Sequence, residues 1–367
     1  MDSNIKENFQ VGPPMVFFLV HAIQVGVGIL GFQRVVVQRT GYDGWISVII
    51  AGTVFSLALS MMYSILRAHN TDIIEIHRRL FGKWLGCILS FLMVLYFFAL
   101  AVLVNRTYVE VVQVWMFEEL PPWVLGMISF VFFYYLILGG FRAVVGLCVI
   151  GVVLPSAIVF ILLLPLEYAQ FLNLLPIWKH SLEEILLGAK DTALTFLGIE
   201  FILMFYPFIK NASDSQKWAQ LGHWVTVFSY TLLMFVSLAF YSEEQLNRTI
   251  WATLTLLKVI ELPFVERFEY IGVSLWLIII APNIALALWA ASRGIKRMFP
   301  IRQRYALIFF LTAMVVIMPV FQSRQRIDQF NDYVSNVGFY FLTVYIPLLF
   351  IIQLIVSKRS KNNDQKG

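Results

Sequence analysis

Two short runs of residues stand out for the chemistry they make available. The first is Gly26-Val27-Gly28-Ile29-Leu30-Gly31, three glycines in six residues inside a long apolar stretch. Each glycine costs a helix interior roughly 1 kcal/mol against alanine, so the helix is expected to open there. The second is Leu197-Gly198-Ile199-Glu200, which sets a glycine beside a carboxylate in an equally apolar stretch. A carboxylate at that depth costs at least ~2.5 kcal/mol and usually faces a cavity or a partner. An opened helix offers free N–H groups at the start of its second half and free carbonyls at the end of its first. The N–H groups attract a carboxylate and the carbonyls accept from an ammonium. A zwitterion such as an amino acid fits both.

Each of these residues also has a plainer reading. Gly26 and Gly28 serve equally well as notches for close helix packing. Glu200 either pairs with a neighbouring helix or sits protonated as a structural donor, or else it contacts a ligand or takes up a proton. Pro282-Asn283 reads as a kink with a satisfied amide or as part of a site, and Tyr96 as packing or as a gate. His21 and Gln24 are polar in apolar surroundings, and Lys190 and Asp191 either snorkel or pair nearby. Phosphate loops, metal-spaced His/Cys/Glu sets and nucleophile elbows are missing from the sequence. The chain is therefore read as non-enzymatic, without cofactor or metal.

The elements that must position these residues follow from composition. Of 367 residues, 60% are hydrophobic and only 13% charged, against ~45–50% and ~25% in soluble domains. That excludes a soluble enzyme, a disulfide scaffold and a disordered chain. The net charge of +5 forms no patch or arm suited to nucleic acid. About 20 apolar residues cross a bilayer as a helix. Ten such segments are expected near 14–38, 45–66, 84–105, 122–139, 143–164, 186–209, 218–241, 271–292, 304–321 and 336–356. The runs are too long for barrel strands, so the fold class is an all-α integral membrane protein. It forms a single transmembrane domain over 1–367, with both termini in the cytoplasm. This orientation puts 17 of the 27 Lys and Arg residues inside, as the positive-inside rule prefers. An outer loop over 242–270 reads as a surface cap or a solvated connector, and 357–367 as a cytoplasmic tail.

The glycine run and the Leu197-Gly198-Ile199-Glu200 motif fall in segments one and six. Ten segments make two sets of five, and because five is odd the second set runs inverted through the membrane. The repeats are expected at about 14–164 and 186–356. Interrupted helices at matching places in inverted halves point to a binding site at the midplane.

Beyond these physical readings, the chain resembles a known family. The pieces are Gly26-Val27-Gly28-Ile29-Leu30, Asp43-Gly44-Trp45-Ile46, Gly82-Lys83-Trp84-Leu85-Gly86, Phe196-Leu197-Gly198-Ile199-Glu200 with Tyr206-Pro207, and Glu266-Arg267-Phe268-Glu269 leading to Trp276. Over about residues 9–356 the chain resembles the B subunits of nutrient germinant receptors. These form the endospore germination permease family, within the amino acid–polyamine–organocation superfamily. Where the family has Leu-Pro-Arg after its first break, this chain has Phe32-Gln33-Arg34.

The resemblance implies a leucine-transporter-like 5+5 inverted repeat with helices 1 and 6 interrupted. It also implies a ligand pocket, which maps onto Gly26, Gly28, Leu100, Leu197, Gly198 and Asn283; Glu200, read from its burial rather than from the resemblance, is a candidate coupling or proton site. The implied partners are the A and C subunits of the same receptor and a small nutrient, an amino acid or a sugar. The implied location is the spore inner membrane. A nutrient sensor, an ion-coupled amino acid transporter and a channel or structural subunit all remain compatible with such a fold. The resemblance favours the sensor.

Overall fold

The computed structural model describes residues 5–259, 268–321 and 323–364. Its regular elements there are helical, with one isolated bridge joining Val11 to Ile209. The first half holds α1 (Met15–Gln24), α2 (Phe32–Thr40), α3 (Gly44–His69), α4 (Ile73–Trp115), α5 (Pro122–Leu138), α6 (Phe141–Val153) and α7 (Ser156–Ile161). The second holds α8 (Leu182–Asp191), α9 (Ala193–Phe196), α10 (Ile202–Phe205), α11 (Gln216–Phe240), α12 (Glu243–Arg248), α13 (Ala252–Val259), α14 (Phe268–Met298), α15 (Gln303–Ile317), α16 (Arg324–Tyr340) and α17 (Ile346–Asp364). A five-residue π-turn joins α16 to α17.

By length and apolar content, six of the described helical stretches can each cross a membrane. A seventh candidate is the pair α5 and α6, bent by 119° at Gly139 and Gly140. The ten expected segments are all helical, but fewer form an unbroken helix long enough to cross a membrane. Segments one and six are each cut in two, and segments four and five meet in one tight turn. Large apolar side chains such as Trp84, Leu92, Tyr135, Phe228 and Phe309 are exposed around the bundle, an outer surface suited to lipid.

Local signals set several element ends. Asp72 caps α4 by accepting from the Glu75 N–H at 3.1 Å. Ser181 with Glu184, and Ser242 with Gln245, close reciprocal capping boxes at the starts of α8 and α12. Each satisfies two N–H groups that the first helical turn leaves free.

Three expectations need correction. The third segment was expected at 84–105, but α4 runs to Trp115, interrupted only by a left-handed Gly82 (φ 77°). The fifth breaks near Pro155, between α6 and α7. The last begins at Arg324 instead of near 336. The outer loop expected at 242–270 holds α12 and α13, with 260–267 outside the described residues. Glu266 and Arg267 of the resemblance motifs lie there too.

α14 packs along α4, and α1 lies between α11, α6 and α14. The end carrying Ile5–Phe9, Asp72 and Arg297 is called inner below, and the end carrying Asp43 and His180 outer.

Candidate binding site at the paired helix breaks

α1 stops at Gln24, and Val25 turns extended (φ −88°, ψ 96°). The carbonyls this frees are met by side chains from other helices. Asn283 Nδ2, on α14 directly after Pro282, donates to the Ala22 carbonyl at 2.8 Å and to the Val25 carbonyl at 3.2 Å. Tyr230 Oη donates to the Gln24 carbonyl at 3.0 Å, and Trp276 Nε1 to that of Gly26 at 3.3 Å. Thr253 Oγ1 on α13 donates to the Ile29 carbonyl at 2.6 Å. Buried carbonyls left without such partners would cost about 1–3 kcal/mol each. The donors of the same stretch are treated differently. Among the described residues the N–H groups of Val27, Gly28 and Ile29 have no acceptor, while that of Gly26 faces the Tyr230 hydroxyl oxygen. They lie at the start of the outer half of this broken helix, where the dipole is positive.

The second break follows Phe196. Leu197 is extended (φ −61°, ψ 152°) and Gly198 is left-handed (φ 111°). Only glycine adopts that φ without strain, and a β-carbon there would stand 2.6 Å from Ile23. Glu200 is fully buried. One of its oxygens accepts from the Gly198 N–H at 2.8 Å, the other from Tyr96 Oη at 2.6 Å. The carboxyl group thus folds back onto the break and is pinned by α4.

Gln24 ties the two breaks together. Its Nε2 donates to the Phe196 carbonyl at 2.9 Å and lies 3.0 Å from His223 Nδ1. His223 Nε2 is 2.8 Å from the Gly52 carbonyl, which can only accept. Nε2 therefore carries the ring proton and Nδ1 accepts from Gln24.

Between the breaks lies a cavity of about 40 Å³. Gly26, Gly28, Leu100, Leu197, Gly198 and Asn283, the six expected pocket residues, all line it. Val27, Gln24, Phe201 and Tyr230 complete the part of the wall that matters here. The volume holds about three waters, at ~10–15 Å³ each. An amino acid enters only if side chains such as Leu100 and Leu197 move. A second cavity of about 290 Å³ lies on the outer side and shares Val27, Gly28 and Leu194 with the first. Arg34, Asp191, Arg324 and Asp328 border it, an approach with both signs of charge.

Glu200 does not line the cavity. Tyr96 is neither loose packing nor a free gate but the partner of Glu200. Asp191 pairs with Arg39, and the Lys190 ammonium lies over the Tyr340 ring at 5.4 Å. The donors Tyr230, Trp276 and Thr253 and the Gln24–His223 pair escape a sequence reading. Gln24 and His223 gave the one available signal, as polar residues within apolar segments.

Comparison with known proteins agrees with this architecture. The profile of the family described as "Spore germination protein" matches residues 10–327. Spore germination protein GerQB of Bacillus cereus is 43% identical over 349 residues, covering 95% of this chain and 97% of the relative. Spore germination protein A2 of Bacillus subtilis is 25% identical over 352 residues, covering 94% of each. Among solved structures, Mhp1 superposes with a TM-score of 0.61 at 14% identity, covering 93% of this chain and 81% of Mhp1. Mhp1 is a nucleobase–cation symport-1 family transporter, there in a closed conformation with bromovinylhydantoin bound. A manganese transporter of Eremococcus coleocola superposes with a TM-score of 0.54 at 13% identity, covering 93% and 78% of the two chains. The fold is thus the leucine-transporter-like inverted repeat, and by sequence the chain belongs to the spore germination protein family.

Proposed function

We propose that this protein is a nutrient-sensing membrane subunit of a spore germinant receptor. A small nutrient, best an α-amino acid, binds in the cavity between the breaks at Gly26–Gly28 and Leu197–Gly198. The observation that carries this reading is the unequal treatment of the first break, where the carbonyls are paired by the protein and three consecutive N–H groups, those of Val27, Gly28 and Ile29, are left free. A carboxylate is the natural acceptor for those groups. Asn283, Leu100 and Leu197 would set how large a side chain is accepted.

Binding shifts the bundle between two arrangements only by the difference in affinity for them. Moving the balance from 1:99 to 99:1 takes ~5.5 kcal/mol of difference. The shift is passed to the A and C subunits of the same receptor in the spore inner membrane, with both termini on the core side. The test is thermal unfolding of the purified full-length protein against single amino acids, sugars and salts. Saturable stabilisation by one or a few amino acids, abolished by Gly26→Leu, is expected; no stabilisation by any of them would contradict the reading.

One observation favours a second reading, an ion-coupled amino acid transporter. Glu200 is a buried carboxyl group that grips the second break directly, as a proton-coupling group would. In proteoliposomes that reading requires labelled substrate to accumulate under an ion gradient, and Glu200→Gln to abolish the ion dependence. Absence of accumulation favours the sensor.

A further inference from the structure

We propose that the inner end of this protein carries a second binding site, for a phosphate-bearing anion, built from Arg293, Lys296 and Lys6. These residues line a cavity of about 450 Å³, separate from the cavity at the breaks.

The charge balance of its wall is uneven. Lys6, Arg293, Lys296 and Arg297 face it, against one carboxylate, Asp72. That carboxylate is already committed. It pairs with Arg297 at 2.7 Å and caps α4 through the Glu75 N–H. Arg293, Lys296 and Lys6 have no carboxylate within ion-pair distance among the described residues. Arg293 is the most constrained of the three. Its Nε is buried without an acceptor, and its guanidinium group rests on the Phe208 ring at 5.1 Å. A buried donor left unmet is costly, and the stacked ring fixes the direction in which the fork of donors points.

The ligand class follows from these groups. A guanidinium fork meets two oxygens of a phosphate at once, and lysine ammonium groups add point charges. Three cations without a directly paired carboxylate suit an anion with several oxygens better than a single carboxylate. The site lies at the C-terminal end of α14, a helix long and apolar enough to cross a membrane, and basic residues at the end of a span attract anionic headgroups. Both a phospholipid headgroup and a free phosphate offer this chemistry.

Its position gives the site a consequence. Besides the end of α14, the wall contains Ile5 and Phe9, which lead into α1, and Pro207 and Phe208, which follow α10. The inner ends of both broken helices are already joined here, since the Val11 N–H donates to the Phe208 carbonyl and the Lys210 N–H to that of Val11, both at 2.9 Å. An anion held by Arg293 and Lys6 ties this joined unit to α14 and favours the arrangement in which the inner end is closed.

The test uses the purified full-length protein in non-ionic detergent, with thermal unfolding followed by tryptophan fluorescence. One arm titrates inorganic phosphate against chloride at matched ionic strength. The other titrates short-chain phosphatidylglycerol against short-chain phosphatidylcholine. Saturable stabilisation in either arm beyond its control is expected, and the arm that responds identifies the source. Arg293→Gln should raise the half-saturating concentration by about tenfold, the scale of one charge-assisted hydrogen bond. Arg302→Gln, an exposed cation of the same loop outside the cavity, should leave it unchanged. If Arg293→Gln does not fold, Lys296→Gln at the exposed rim takes its place, with a several-fold weakening expected. No saturable shift in either arm, equal shifts with the controls, or binding unaffected by these variants would overturn the proposal.

Discussion

At Gly26 and Gly28 the same residue type does two different jobs, and substitution separates them. A β-carbon at Gly26 would stand 2.7 Å from Asn283 Oδ1, the group that orients the amide paired with Ala22 and Val25. At Gly28 the nearest atom, on Thr195, is 3.7 Å away, an ordinary contact. Gly26→Ala is therefore expected to weaken nutrient-dependent stabilisation at least tenfold, and Gly28→Ala to weaken it by clearly less. Equal effects of the two on ligand response would count against the geometry at Gly26.

Asn283→Leu leaves two carbonyls unpaired, at about 1–3 kcal/mol each, and should lower the unfolding temperature even without ligand. The glycines announced themselves in the sequence through their spacing. Asn283 and Leu100 were placed only through the family resemblance, because no local pattern singles them out. The Gln24–His223 contact joins residues 199 positions apart, and no reading of either neighbourhood reveals it.

Helices were legible where apolar runs ended in solvent and illegible where charge was buried. The third segment was expected to stop at Asn105 and Arg106, which look like a membrane boundary. In the fold Arg106 Nε donates to the Phe321 carbonyl at 2.9 Å and Glu110 pairs with Arg324 at 2.8 Å. α4 therefore continues to Trp115, because the Phe321 carbonyl and Arg324 at the start of α16 supply its charged turns with partners.

The outer connection before α8 is fixed by a similar device. Burial alone would push the Asp43 carboxyl group up. The His180 ring, with the N–H groups of His180, Trp178 and Lys179, donates to it and holds it below the usual carboxylate range. A carboxyl group whose folded value lies below its unfolded one, ~3.9 for aspartate, stabilises fully above that unfolded value. The contribution is lost as pH falls through the folded value. Asp43→Asn should therefore reduce stability at neutral pH and flatten the acid limb of the stability curve below about pH 4, measured by denaturant unfolding at fixed ionic strength. An unchanged acid limb would remove Asp43 from this role.

At the scale of the whole molecule, the inverted repeat was legible from a count. Ten apolar segments, with a glycine run in the first and a glycine beside a carboxylate in the sixth, left little other arrangement, and the fold has those two breaks side by side. The link between them was hidden. The Gln24 amide bonds the Phe196 carbonyl, so the two broken helices share a polar contact at the breaks themselves, besides the backbone bonds that join their inner ends at Val11. Gln24→Leu removes this tie and should alter the ligand concentration needed for response in germination assays, with the protein still assembled in the membrane. A response identical to wild type would show that the breaks are not coupled through it.

The central claim is that the cavity between the breaks is where a nutrient is sensed. It is tested most directly in spores of the source organism lacking this gene and complemented with either the intact or the Gly26→Leu gene. Optical-density loss would be followed across single amino acids, sugars and salts, with the protein's presence verified in each strain. The account predicts loss of response to one or a few nutrients on deletion, restored by the intact gene and not by Gly26→Leu. Full restoration by Gly26→Leu, with its bulky side chain in the cavity, would contradict it.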